Sequence, residues 1–156
     1  MSTPTANDLA TASQVVATAS ECVQKGIASL KASGGPDVSQ VLAYDLAHIA
    51  SAVETARAML EYGAKGELEA SITCAFVADT VHELVSKLIG RERIWGVDPS
   101  VLASAHDFVT KYRDPDFLAS LADKPGPRHL SSEFEMVQDT FRAYANNELS
   151  KFAEHV

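Results

Sequence analysis

Apolar residues recur at spacings of three and four through almost the whole chain, and that periodicity leaves little room for anything but helices. Leu9, Ala12, Val16, Ala19, Val23, Ile27 and Leu30 place one stripe on a helix running from about Asn7 or Asp8 to about Ser33. Gly34-Gly35-Pro36 stops it, because glycine accepts the left-handed cap and proline cannot extend the hydrogen-bond ladder. A second helix, roughly Val38 to Tyr62, carries Leu42, Leu46, Ile49, Val53, Ala56 and Leu60. Gly63 is its expected cap, and Gly63-Ala64-Lys65-Gly66 is so short that the next helix must return antiparallel. That third helix, about Glu67 to Ile89, aligns Ala70, Cys74, Val77, Val81, Leu84 and Leu88. Ile72 and Phe76 lie off this stripe, so the helix should bury more than one face.

Beyond Trp95-Gly96, Asp98-Pro99 is a strong start signal, a capping aspartate before proline at the first helical position. The fourth helix then carries Leu102, Ala105, Phe108, Val109 and Tyr112. Asp114-Pro115 repeats the signal for a short helix with Phe117, Leu118 and Leu121. Asp123-Lys124-Pro125-Gly126-Pro127 reads as a linker. A last helix begins at Ser132, where Ser132 and Glu135 have capping-box spacing. Phe134, Val137, Phe141, Ala145, Leu149, Phe152 and Val156 mark its apolar face, still in register at the final residue, which reads as a truncated chain. The expected organisation is an all-α, up-and-down helical bundle over residues 1–122, a Pro/Gly linker over 123–130 and an additional helix over 131–156.

At 156 residues the chain is long enough for one domain with a real core. Its net charge of −8, with thirteen scattered Lys and Arg, argues against a nucleic-acid partner. No secretory signal opens the chain and no run of about 18 apolar residues could span a membrane. Cys22 and Cys74 form no close-spaced metal or redox motif. The expected setting is reducing and cytoplasmic, with no membrane partner.

Two segments resemble a known enzyme family. The Ala-rich run Ala43–Gly90 includes Tyr44-Asp45-Leu46-Ala47, Ala56-Arg57-Ala58, Tyr62-Gly63 and Cys74-Ala75-Phe76-Val77-Ala78-Asp79. It resembles the paired helices in the C-terminal bundle of FAD-dependent acyl-CoA dehydrogenases. Pro127-Arg128-His129-Leu130-Ser131-Ser132-Glu133-Phe134, continuing into Phe141-Arg142-Ala143-Tyr144-Ala145 and Glu148-Leu149, is similar to the opening helix of that family's catalytic core. Bundle-like helices ahead of a core-opening helix look most like methylsuccinyl-CoA dehydrogenases. The resemblance implies an N-terminal accessory or oligomerisation domain in a parent enzyme that oxidises methylsuccinyl-CoA to mesaconyl-CoA. FAD would accept the hydride there and electron-transferring flavoprotein would act downstream. The implied partners of the chain are the rest of the dehydrogenase core and further copies of itself. Where the family has a Gly-Gly-rich turn near the flavin, this chain has Gly90-Arg91-Glu92-Arg93-Ile94-Trp95-Gly96. The family's catalytic glutamate matches no glutamate here, and its β-domain is missing from the sequence. No catalytic, cofactor-binding or metal residue carries over, and the chain alone is expected to be inactive and to hold no FAD.

Read from the residues themselves, the sharpest constellation is a pair of Asp-x-x-His spacings, Asp45/His48 and Asp79/His82. Two such pairs on neighbouring helices resemble the ligand sets of di-iron bundles. Helical phase opposes this: Asp79 and His82 fall opposite their seam and His48 lies outside its own, so exposed or helix-bridging polar pairs are expected. Cys74 sits in a seam and reads as a small core hydrophobe, while Cys22 flanks one. Trp95 could anchor a partner or cap the bundle end, and the cap is favoured. Arg91 and Arg93 could face a phosphate but sit beside Glu92. Glu61, Glu67 and Glu69 read as a solvated helix end. Two further readings stand beside the accessory domain: a freestanding helical interaction module and, less favoured, a metal-binding bundle.

Overall fold

The computed structural model describes residues 4–122, 124, 126, 127 and 129–153, and every regular element among them is helical. The chain divides into two compact units, Met1–Lys124 and Pro125–Val156. In the first, α1 (Ala6–Ala32), α2 (Gln40–Gly63) and α3 (Glu67–Leu88) pack against one another. Near the Ala64–Gly66 turn the Thr73 hydroxyl donates to the Met59 carbonyl at 2.8 Å, and at the far end Lys87 reaches Asp45 at 3.2 Å. α2 and α3 therefore run antiparallel, as the short connection requires.

The expected seams are buried through their middle turns, with additions, while Leu9, Ile27, Leu30 and Leu60 are only partly buried against the core. Every seam residue named for α3 is buried, and so are Ser71, Thr73, Ala78 and Thr80, so α3 does bury more than one face. In α1, Val15, Cys22 and Gly26 join the buried stripe; Cys22 is 1% exposed and belongs to the core rather than its flank. α1 starts at Ala6, one or two residues earlier than expected. Thr5 caps it and Asp8 returns a bond to the Thr5 amide at 2.8 Å, a complete capping box.

Gly63 is not a left-handed cap. It is the last residue of α2, and the chain continues through Ala64 at φ −73°. Its role is close approach: a Cβ there would meet Thr73 Oγ1 at 2.7 Å and Leu9 Cδ2 at 3.0 Å. Gly26 does the same between α1, α2 and the following turn, where a Cβ would lie 2.7 Å from Leu46 Cδ2 and 2.8 Å from Trp95 Cε3. Gly34 and Gly35, at φ +99° and +88°, do terminate α1 as their left-handed conformations predict.

Past α3 the chain forms α4 (Glu92–Trp95), a single turn that periodicity could not announce. The expected fourth helix is split into a 3₁₀ stretch, Pro99–Ala105, that continues as α5 (His106–Tyr112). Asp98 caps the first part by accepting from the Ser100 amide at 2.9 Å. Asp114 accepts from the Phe117 amide at 3.0 Å at the start of α6 (Pro115–Ala122). Of the linker, Asp123, Pro125 and Arg128 lie outside the described residues.

The second unit holds α7 (Ser132–Tyr144), a π-helical turn over Ala145–Leu149, and α8 (Ser150–Ala153). Its cap is Ser131, not Ser132, and no side-chain cap bond forms. The Ser132/Glu135 capping box is therefore one residue out of register: Glu135 is the fourth residue of α7, and its amide already bonds the Ser131 carbonyl at 3.0 Å. Val156, the end of the proposed stripe, lies outside the described residues.

Candidate functional site

Asp45 is the polar hub of the bundle. It sits on the buried side of α2, 8% exposed, and no apolar neighbour could satisfy its carboxylate. Lys87, from the last turn of α3, donates to Oδ1 at 3.2 Å, and Arg91 donates to Oδ2. Lys87 also approaches Glu83 at 3.4 Å. Burial disfavours the Lys87 charge, but the Asp45 and Glu83 carboxylates outweigh it and raise its pKa. Arg91 is thus tied to the bundle through Asp45 while its side chain stays 45% exposed.

The two Asp-x-x-His pairs are used apart. His48 is exposed and leans on the Tyr44 ring at 4.4 Å. Asp79 pairs with Arg113 Nε at 2.7 Å on the outside of α3. His82 is exposed too, beside His106 at a shallow cleft of about 240 Å³. Among the described residues no group of three or more His, Cys, Asp or Glu side chains is placed to hold a metal ion. Of these four side chains only Asp45 is buried, and His48, Asp79 and His82 project outward from their helices.

A second polar cluster, partly exposed, ties the start of α1 to the end of α5. Asp8 accepts from Lys111 Nζ at 2.6 Å across 103 residues of sequence. Burial would raise the Asp8 pKa, but Lys111 and the Thr5 amide and hydroxyl hold it well below the usual carboxylate range. Lys111 also lies 4.8 Å from the Tyr112 ring centroid. The buried Tyr112 hydroxyl has no hydrogen bond of good geometry; it faces Asp8 and Cys74, and burial above all drives its pKa upward. Burial likewise pushes the Cys74 thiol up to about 11, against a smaller opposing effect of Tyr112. A thiol so buried and so weakly acidic is packing, not a nucleophile.

One groove, of about 470 Å³, opens between the start of α2 and α4. Val38, Leu42 and Ile94 form its apolar side, and Asp37, Asp45 and Arg91 bring charge to it. Trp95 lines it as well, fully buried, as the cap reading expects; its Nε1–H has no hydrogen-bond partner.

No family model, curated protein or solved structure matches the chain.

Glu69 corrects the sequence reading. It is 2% exposed, not part of a solvated end, and its carboxylate folds back over Gly66 at the first turn of α3. Nothing in its local sequence separates it from Glu67. The helix N-terminus, where a negative charge is favoured, is the physical reason it can be buried there. In the second unit, by contrast, the large apolar side chains stay in solvent: Phe134 is 64%, Phe141 70% and Phe152 68% exposed. Among the described residues no helix is long and apolar enough to cross a membrane.

Proposed function

We propose that this chain is a helical accessory domain of an FAD-dependent acyl-CoA dehydrogenase, of the kind that converts methylsuccinyl-CoA to mesaconyl-CoA in the cytoplasm. Its work is to pack on the catalytic core and support the enzyme's oligomer, not to react. The parent enzyme carries FAD and passes electrons to electron-transferring flavoprotein, while this chain holds no flavin of its own. The reading rests on the resemblance of Ala43–Gly90 and Pro127–Val156 to that family's bundle and core-opening helix. The observation that carries the docking role is the row of exposed aromatics on α7 and α8, Phe134, Phe141 and Phe152. An apolar face of that kind marks an interaction surface. The ionic side chains Asp45 and Lys87, between α2 and α3, and Asp8 and Lys111, at the partly exposed end of the bundle, are engaged in structural pairs, which supports a scaffold over a catalyst.

The test uses the full chain and a methylsuccinyl-CoA dehydrogenase core lacking its own N-terminal domain. Sedimentation of the mixture is expected to show a stable complex, and the chain alone with FAD is expected to show no flavin absorbance after gel filtration. A stoichiometric flavin band on the chain would overturn the scaffold role. Failure to bind the core would leave the exposed aromatic face to the second reading, a freestanding helical interaction module.

A further inference from the structure

The groove beside Trp95 has the composition of a ligand site rather than of a packing defect. Three kinds of donor meet there. The first is the start of α2, whose cap residue Ser39 makes no side-chain cap bond and whose first turn carries no acidic residue. Ser39 spends its hydroxyl on Ser33 at 2.8 Å instead, and the first backbone bond of the helix is Ala43 to Ser39 at 2.9 Å. The amides of Gln40, Val41 and Leu42 are thus uncapped at the positive end of a 24-residue helix, and all three residues line the groove. The second donor is Arg91, whose Nη1 is held by Asp45 while the side chain stays 45% exposed. A guanidinium has five N–H groups, so one anchored at Asp45 still has donors to offer.

The third is the indole of Trp95. The ring is fully buried and its Nε1–H is unpartnered, a costly omission for a buried donor. The indole atoms pressed against Gly26 are Cε3 and Cζ3, which lie across the ring from Nε1. The nitrogen therefore belongs to the edge turned away from α1. Neither α1 nor the core supplies an acceptor, and the groove is the cavity that Trp95 lines. Val38, Leu42 and Ile94 complete it with an apolar wall.

We propose that this groove binds a small organic anion, a monocarboxylate with an apolar body of medium-chain length. Its carboxylate would accept from Trp95 Nε1, Arg91 and the first-turn amides of α2, and its body would lie along Val38, Leu42 and Ile94. Both halves are needed. Apolar walls with a few convergent polar groups are the usual make-up of small-molecule sites, and the volume falls within their range. Asp45 does not oppose the anion, because Lys87 and Arg91 both answer its charge. Asp37, on the exposed rim, does oppose it, which gives the site a signed test. The inference is independent of the accessory-domain reading.

Trp95 is the single tryptophan of the chain, so its fluorescence and its indole N–H resonance report the groove without labelling. Octanoate, kept below its micellar concentration, is titrated into the full chain, with octanol as the uncharged control. Saturable octanoate binding is expected, with a downfield shift of the indole N–H as it gains an acceptor and a much weaker response to octanol. Arg91→Gln should weaken octanoate binding about tenfold, the loss of one charge-assisted contact. Asp37→Asn should tighten it by removing repulsion, and being on the rim it should leave the fold intact. No saturable shift, an equal response to octanol, or an affinity unchanged by Asp37→Asn would each overturn the proposal.

Discussion

At the scale of single residues, the structure separates side chains that look alike in sequence. Asp45 and Asp79 both precede a histidine by three residues, yet Asp45 is buried between two cations and Asp79 makes one exposed pair. Asp45→Asn should therefore destabilise the bundle by about 1–3 kcal/mol, the range for hydrogen bonds to charged groups. Asp79→Asn should cost less than about 1 kcal/mol, as exposed pairs do. Urea melts of the two variants check this, and equal losses would contradict the hub role of Asp45. Gly26→Ala offers a second contest. Replacing glycine by alanine within a helix gains about 1 kcal/mol of propensity. Here the new methyl would press on Leu46 and Trp95 at under 3 Å, and overpacking typically costs about 1–3 kcal/mol. Both neighbours are buried core side chains that must shift to admit the methyl, so a net loss is expected, read as a lower denaturation midpoint.

At the scale of elements, two serine-or-threonine starts with the same apparent motif behave differently. The Thr5/Asp8 box closes at α1, whereas Ser132/Glu135 is out of register at α7. Thr5→Ala should cost about 1 kcal/mol, the usual value of an N-cap, while Ser132→Ala should be nearly silent. On α3, Val81 is 2% exposed and its neighbour His82 is exposed. Val81→Asp should unfold or severely weaken the first unit by burying an unpaired charge, and His82→Ala should change stability by less than about 1 kcal/mol. A reversed order in denaturant melts would mean that α3 is rotated from the phase described.

At the scale of the whole molecule, stability should fall on both sides of neutrality for identifiable reasons. The Asp8 carboxyl is held below its ordinary value of 3.8, so its contribution is present above that pH and is lost as pH falls through the folded value. Asp8→Asn should remove part of the acid limb, so that the variant and the parent converge at low pH. On the alkaline side, Cys22, Cys74, Tyr112 and Lys87 all have raised pKa values. Each contributes stability that is intact below its unfolded pKa and is lost as pH rises toward its folded value, so the decline should begin near the ordinary thiol value of 9.0. Urea midpoints measured from neutral to strongly alkaline pH should fall from about that point. Among the described residues the buried hydrophobic core side chains lie between Ala12 and Phe117, within the first unit. Deleting the chain from Ser131 onward should therefore leave cooperative unfolding intact, followed by circular dichroism. It should also reduce self-association in sedimentation, because Phe134, Phe141 and Phe152 go with it.

Local spacing along the chain encodes the elements and their ends. Helix existence, the Gly34-Gly35-Pro36 stop, the Asp98 and Asp114 caps and the α3 seam all follow from residues within one or two turns of each other. The all-α fold was legible for that reason. The tertiary structure alone decided which helix meets which residue. It turned Gly63 from a cap into a contact and drew Glu69 out of solvent. It joined Asp8 to Lys111 and Asp45 to Arg91, and left the Trp95 nitrogen buried without a partner. Helical periodicity reports which face of a helix is apolar, but it carries no record of what lies opposite that face. Asp45 is buried because Lys87 and Arg91, distant in sequence, bring the charge that makes its burial tolerable.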